Sequence, residues 1–99
     1  MHEASFVVPP DHPALAGHFP GRPIVPGVVL LDEVVAAIRG TAPGARVAGL
    51  ANVKFHAPLE PGRRVVVSWT PQGARSIAFS CQSDRLIAAG VVELAEPLP

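Results

Sequence analysis

The stretch that decides the fold is GHFPGRPIVPGVVLLDE, residues 17–33. Its first part, residues 17–27, holds three prolines and three glycines, whereas the remainder holds neither. Proline fixes φ and glycine permits backbone conformations that other residues rarely adopt, so this first part is predicted to form a rigid, irregular loop. Pro26-Gly27 is predicted to start a helix over about residues 27–39.

Three groups in this stretch have the chemistry of an active site. His18 carries an imidazole that is mostly neutral at cellular pH, because its ordinary pKa is about 6.5, and so can accept a proton. Asp32 can supply a proton. The start of the helix at Gly27 offers free backbone N–H groups and the positive end of a dipole to a carbonyl oxygen that gains negative charge. The structural alternatives are a histidine that supports the loop and, for Asp32, either a solvated helix residue or a partner of Arg39.

The predicted helix is apolar around nearly its whole circumference. This pattern is typical of a buried helix, so the rest of the chain is predicted to surround it on most sides. A carboxylate buried there would keep its proton more readily, as a general acid requires. Asp32 is preferred over Glu33, which points about 100° away around the helix.

The chain outside this stretch is predicted to form strands. These cover Glu3 to Val8, Arg46 to His56, Arg63 to Thr70, Ser76 to Cys81 and Leu86 to Leu94. Turns are expected at Pro71-Gln72-Gly73 and at Ser83-Asp84, and a frayed tail over residues 95–99. One helix with an antiparallel set of strands predicts an α+β domain.

The motif His18-Phe19-Pro20-Gly21-x-Pro23-x-x-Pro26-Gly27, with Asp32 five positions later, resembles the signature of the β-hydroxyacyl-ACP dehydratases. This resemblance implies the hotdog fold, in which an antiparallel sheet wraps around one long central helix. It also implies dehydration of a (3R)-hydroxyacyl-ACP thioester to the trans-2-enoyl-ACP in fatty-acid or polyene/polyketide-type biosynthesis. Neither a cofactor nor a metal ion is expected.

The resemblance further implies roles for individual residues. His18 would remove the α-proton, Asp32 would protonate the departing β-hydroxyl, and the Gly27 N–H would hold the thioester oxygen. In such dimers the histidine and the acid of one site usually come from different subunits. The implied substrate-binding positions are Phe19, Pro20, Gly21, Val25, Pro26 and Val28.

The partner implied by the resemblance is an acyl carrier protein bearing a 4'-phosphopantetheine acyl thioester. The acidic surface of such a protein would be steered by scattered basic residues. The candidates are Arg22, Lys54, Arg63 and Arg64, for each of which ordinary solvated charge is an equally good interpretation. The formal net charge is zero, which argues against nucleic-acid binding.

Two positions depart from the family's pattern. Val25 stands where a methionine is common, which changes the lining of the acyl pocket. Ala36, four residues after Asp32, stands where a glutamine often bonds near the acid. Two rival functions stay open: a hotdog thioesterase, which cleaves the thioester with a carboxylate and water, and a non-catalytic module that binds acyl groups or carrier proteins.

Composition sets the size and surroundings of the protein. Ninety-nine residues are predicted to form one domain, residues 1–99. With 48% hydrophobic and 16% charged residues, a monomer has few polar side chains to cover it, so a homodimer or higher homo-oligomer is expected. The chain shows no signal-peptide features and no apolar run of the ~20 residues that cross a bilayer, so a cytoplasmic protein without membrane contact is expected.

The cysteine and the remaining histidines have weaker signals. Cys81 is the only cysteine, which excludes a disulfide within the chain, and its alternating apolar run predicts a buried position. His2 and His12 are expected at the surface, and His56 is compatible with either a structural or a functional role.

Overall fold

The computed structural model describes residues 1–15 and 24–98. Its elements in chain order are β1 (His2–Val7), a 3₁₀ turn (Pro13–Leu15), α1 (Gly27–Thr41), β2 (Val47–Phe55), β3 (Arg64–Gly73), β4 (Ser76–Gln82) and β5 (Leu86–Leu94). The strands form a five-stranded antiparallel sheet in the order β1-β3-β4-β5-β2. The predicted α+β class is confirmed, and the strand and helix bounds differ from the predicted ones by a few residues.

The core lies between one face of the sheet and one side of α1. On β4, the alternating Ile77, Phe79 and Cys81 are all buried, as their spacing predicts. Val34 and Ile38 of α1 are at most 1% exposed and belong to the same apolar cluster. Fully burying a side chain of this size stabilises the fold by roughly 1.5–3 kcal/mol. The helix is therefore held to the sheet mainly by apolar packing.

The prediction that α1 is buried on most sides is wrong for a single chain. Only Val29, Leu30, Val34 and Ile38 of the helix are buried. The opposite side carries Val28, which is 66% exposed, together with the exposed Asp32 and Ala36. The stripe of the helix that carries these three residues stays open to solvent.

Strand β2 forms one edge of the sheet and is irregular. Its register against β5 shifts twice, between Val47 and Gly49 and between Ala51 and Lys54. Each shift adds one residue to β2, which is the geometry of a β-bulge. Within the second bulge Asn52 has a φ of 53°, a left-handed conformation that asparagine tolerates better than most residues.

The bulges keep large apolar side chains of β2 on the helix side of the sheet. Leu50 pairs with the buried Val92, and Phe55 pairs with the buried Ala88, so each pair shares a face. Leu50 is nevertheless 41% exposed and Phe55 54% exposed. These two side chains form an open apolar margin along β2, called here the β2 margin.

Three smaller predictions are wrong. Residues 71–73 continue β3, which runs to Gly73, so the turn lies after them. Residues 95–98 are held, since the amide of Ala95 donates to Arg46 (2.9 Å), that of Leu98 donates to Ala74 (2.8 Å), and Arg46 pairs with Glu96. His12 is half-buried and not a surface residue, whereas His2 is exposed as expected. No helix among the described residues is long and apolar enough to cross a membrane.

Cys81 provides a test of the core by pH. Burial raises the pKa of the Cys81 thiol from 9.0 to about 11, so between these values the unfolded chain loses a proton that the folded chain keeps. The free energy of unfolding is therefore expected to fall as pH rises from about 9 to about 11, and less steeply in Cys81→Ala. Urea unfolding at a series of pH values measures both slopes. Equal slopes would contradict a buried thiol.

Candidate functional site

The start of α1 provides unpaired backbone donors. Pro26 precedes the helix with φ −60° and ψ 144°, and no side chain caps this end. Its carbonyl accepts the N–H groups of Val29 (3.0 Å) and Leu30 (3.3 Å). Across residues 1–15 and 24–98, no acceptor is recorded for the N–H groups of Gly27 and Val28, as expected for the first turn of a helix. This end of α1 therefore presents two donors and the positive end of the helix dipole.

A pocket of about 400 Å³ lies at this end of the helix. Two backbone hydrogen bonds fix its walls: the amide of Val25 donates to Leu59 (2.8 Å), and that of His56 donates to Ile87 (2.7 Å). The described lining residues are Ile24, Val25, Pro26, Gly27, Leu30, Phe55, His56, Ala57, Pro58, Leu59 and Ile87. The pocket is thus an apolar space closed at one end by a helix N-terminus, suited to an acyl group with a polar carbonyl.

Phe55 lies against Gly27. A Cβ atom added to Gly27 would come within 2.7 Å of the Phe55 Cζ atom, which is closer than carbon atoms approach. Glycine at this position therefore allows the Phe55 ring to pack against the start of the helix, where a larger residue would displace the ring. The sequence did not point to Phe55 as a site residue. An aromatic residue at the end of β2 does not by itself indicate contact with α1, and neither does the bulge before it.

His56 is the only described lining residue of this pocket with a polar side chain. Its imidazole is exposed, and its backbone is held to Ile87 at the start of β5. The sequence left its role open, and the structure places it in the lining of an otherwise apolar space to which Gly27 also belongs. It can therefore donate to or accept from a polar part of a bound ligand.

The predicted site residues fall into three groups. Val25, Pro26 and Gly27 line the pocket, and Val25 is buried. Asp32 is exposed on the open side of α1 with Val28 and is absent from the described lining of the pocket, so its expected burial is not present in a single chain. The remaining predicted positions, His18, Phe19, Pro20, Gly21 and Arg22, lie outside the described residues.

The predicted docking residues Lys54, Arg63 and Arg64 are all exposed. Arg63 lines a small polar cleft beside the pocket, together with Arg85, which sequence reasoning did not single out. The Arg64 carbonyl accepts a hydrogen bond from Ser83 Oγ (2.9 Å). In the described parts of the chain, no group of His, Cys, Asp and Glu side chains is arranged to hold a metal ion.

A second cavity, of about 430 Å³, lies at the other end of α1. It is bordered by Ile38, Trp69 and Leu98, with the Arg46–Glu96 ion pair at its edge. None of the predicted site residues that the structure describes lines it. The pocket at the start of the helix is therefore the candidate site, because Val25, Pro26 and Gly27 line it.

Comparison with protein families gives one match that spans most of the chain. A family model described as ApeI-like, ApeI dehydratase, matches residues 1–91. Among curated proteins, 3-hydroxyacyl-[acyl-carrier-protein] dehydratase FabZ of Allorhizobium ampelinum is 34% identical over 96 residues, covering 87% of this chain and 61% of that protein. The FabZ protein of Acidovorax sp. is 32% identical over 68 residues, covering 58% of this chain and 47% of that protein. The chain therefore spans about half to three-fifths of the length of these relatives.

Solved structures share the fold. The dehydratase heterocomplex ApeI:P from Xenorhabdus doucetiae contains a chain with a TM-score of 0.83 and 29% identity, covering 94% of this chain and 87% of that one. An uncharacterized protein from Erwinia carotovora has a TM-score of 0.78 and 33% identity, covering 95% and 82%. The fluoroacetyl-CoA-specific thioesterase FlK, at 22% identity and a TM-score of 0.76, covers 96% and 87% and supports the fold alone. The predicted hotdog fold is confirmed.

Proposed function

Since this chain belongs to the ApeI-like dehydratase family, we propose that it catalyses the reversible dehydration of a (3R)-hydroxyacyl thioester to the trans-2-enoyl thioester. The observation that carries the proposal is that Gly27, whose N–H has no acceptor among residues 1–15 and 24–98, lines an apolar pocket. When the carbonyl of a bound thioester accepts a hydrogen bond from this N–H, the acyl chain of the thioester lies in the apolar pocket. Its oxygen is stabilised as negative charge develops on it during removal of the α-proton.

The proposed steps assign one proton transfer to each of two side chains. The His18 imidazole takes the α-proton, and the electron pair of that C–H bond forms the new carbon–carbon double bond. The bond from the β-carbon to its hydroxyl breaks, and Asp32 gives a proton to the departing hydroxyl, which leaves as water. The reverse sequence hydrates the enoyl thioester.

We place Asp32 in the site of a partner subunit. In a single chain it lies on the open side of α1, away from the described lining of the pocket. The same side carries Val28, and the β2 margin adds Leu50 and Phe55 beside the unpaired edge of β2. An apolar margin next to an open strand edge favours association, because it buries these side chains and pairs the edge. A second copy covering this margin would present its own Asp32 near the first copy's pocket.

The partner in this association is proposed to be a second copy of the chain. The related ApeI:P structure is a heterocomplex, so a related but different chain is the alternative occupant. Size measurement of the purified chain decides between them. A stable dimer supports the homodimer, and a monomer that dimerises only with a second family member supports the heterodimer.

The proposed substrate is the acyl thioester of an acyl carrier protein, in fatty-acid or polyene/polyketide-type biosynthesis. The FabZ relatives carry this substrate in their names. The exposed Lys54, Arg63 and Arg64, with Arg22 outside the described residues, are the proposed docking positions for the acidic carrier.

Ultraviolet absorbance of an enoyl thioester tests the reaction directly. Purified protein is incubated with 2-enoyl thioesters of several chain lengths, on coenzyme A and on carrier protein, and loss of the conjugated absorbance reports hydration. Turnover supports the proposal. Release of free thiol would identify a thioesterase instead, and tight binding without turnover would identify a binding module.

Gly27→Ala is expected to lower turnover by about tenfold or more, because the new Cβ displaces the Phe55 ring and with it the wall of the pocket. The free energy of unfolding is expected to change by less than about 1 kcal/mol, since Phe55 is 54% exposed and can move. Turnover and urea unfolding measure the two effects.

Gly40→Ala is the matched control for Gly27→Ala. Gly40 lies in the same helix with no atom near its would-be Cβ, so its substitution is expected to stabilise by about 0.5–1 kcal/mol and to leave turnover unchanged. Adding Phe55→Ala to Gly27→Ala is expected to recover part of the lost turnover. Full activity of the single Gly27→Ala variant would exclude a tight approach at this position.

A further inference from the structure

The small polar cleft adjoins the pocket at the start of α1. Pro58, Leu59 and Ile87 border both spaces. The cleft has a volume of about 140 Å³ and is bordered by Arg63 and Arg85. Nothing in the proposed reaction uses Arg85.

The two arginines come from different parts of the chain and border the same cleft. Arg63 directly precedes β3, and Arg85 lies in the turn between β4 and β5. Ser83 joins the two segments, because its Oγ donates to the Arg64 carbonyl (2.9 Å) while its amide donates to the Arg85 carbonyl (3.0 Å). The separation of the two arginine backbones is therefore fixed before any ligand binds.

Both guanidinium groups are available to a ligand. The ion pair recorded for the described residues is Arg46–Glu96, which lies at the other cavity, so neither Arg63 nor Arg85 is paired there. Glu60 and Asp84 also border the cleft and oppose the charge of the arginines. An anion in this cleft would therefore bind at the guanidinium groups, since the N–H donors of a guanidinium group suit phosphate oxygens.

The apolar pocket and the charged cleft follow each other in the same order as the apolar acyl group and the charged phosphate of a phosphopantetheine thioester. The pocket is apolar apart from His56, as suits an acyl chain and a thioester, and the cleft beyond Pro58 is charged. We propose that Arg63 and Arg85 bind the phosphate group at the far end of the pantetheine arm, and that the arm leaves the pocket past His56 and Pro58. This inference rests on the proposed function for the identity of the ligand.

The test compares two non-reactive ligands that differ only in the phosphate: an S-alkyl pantetheine and the same compound with a 4'-phosphate. Calorimetric titration at fixed, low salt gives the affinity of each ligand for the full chain. The wild-type protein is expected to bind the phosphorylated ligand more tightly. Arg63→Ala and Arg85→Ala are each expected to reduce this preference by about fivefold, the upper range for one exposed ion pair, without changing affinity for the unphosphorylated ligand.

Two further variants test the direction of the charge effect and control for net charge. Asp84→Asn removes an opposing charge from the cleft and is expected to increase the phosphate preference. Arg75→Ala removes an exposed arginine next to the start of β4, at the opposite end of that strand from Arg85, and is expected to leave the preference unchanged. A general effect of net charge would instead make Arg75→Ala resemble Arg85→Ala and would overturn the proposal.

The remaining outcomes are also decisive. An unchanged preference in both arginine variants, an equal loss of affinity for both ligands, or no binding of either ligand by the wild-type protein would overturn the proposal. Parallel titrations with coenzyme A and with the carrier protein separate the sources of the phosphate. If the arginine substitutions lower the affinity for both, a phosphate site is supported. If they lower only the affinity for the carrier protein, the proposal is overturned in favour of protein docking. Because binding needs no turnover, a phosphate preference in a protein that fails the enoyl assay would reject dehydration and keep the site.

Discussion

Asp32→Asn is expected to lower the rate of enoyl-thioester hydration by about 10²-fold or more, the effect expected for losing a general acid. Asparagine keeps the size of the side chain and removes only its proton-donating group. Asp32 is exposed in a single chain, so the variant is expected to fold as the wild type does. The assay is the ultraviolet absorbance of the enoyl thioester, with circular dichroism as the measure of folding.

Glu33→Gln is the matched control, since it makes the same change at the neighbouring residue on a different side of the helix. It is expected to keep most of the activity. Equal activity losses in the two variants would indicate an effect of helix charge, and full activity in Asp32→Asn would remove Asp32 from the mechanism. His18→Ala is expected to be as inactive as Asp32→Asn, because the base and the acid act in the same turnover.

Mixing the two inactive variants tests whether the site is shared between subunits. If the histidine and the acid of one site come from different chains, a dimer of one His18→Ala and one Asp32→Asn subunit has one intact site. Random exchange of equal amounts then restores about a quarter of wild-type activity, because half of the dimers are mixed and each has one of two sites. No recovery after verified subunit exchange would place both residues of a site in one chain.

Ile38→Ala is expected to lower the free energy of unfolding by about 2–5 kcal/mol, the second of the largest effects. Ile38 is 1% exposed and packs between α1 and the sheet, where it also borders the cavity near Trp69. Truncation removes apolar contact and enlarges that cavity. Urea unfolding followed by the fluorescence of Trp69, the only tryptophan, measures the loss at a fixed protein concentration.

Arg39→Ala provides the control for Ile38→Ala on the adjacent residue. Arg39 is exposed in the last turns of α1, so its substitution is expected to change the free energy of unfolding by about 0.5 kcal/mol or less. A loss below about 1 kcal/mol for Ile38→Ala would mean that the helix is not packed on the sheet at this point.

Much of the fold follows from local patterns in the chain. Pro26-Gly27 does start α1, and the alternation of Ile77, Phe79 and Cys81 does place all three in the core. These features depend on neighbours a few residues apart: proline restricts its own φ, and alternate residues of a strand face the same way. The catalytic roles of His18 and Asp32 stay predictions, because they rest on the motif and its resemblance.

By itself, the sequence determined where the helix and strands form, which residues face the core within a strand, and where the helix begins. The rigid loop predicted before the helix falls mostly outside the described residues. Only the tertiary structure decided that one side of α1 stays uncovered, that Phe55 lies against Gly27, and that Arg63 and Arg85 border one cleft. The physical reason is that each of these contacts depends on strand pairing or a bulge between segments distant along the chain. Such pairings are fixed by the sum of many packing and hydrogen-bonding contacts across the sheet, which no local pattern encodes.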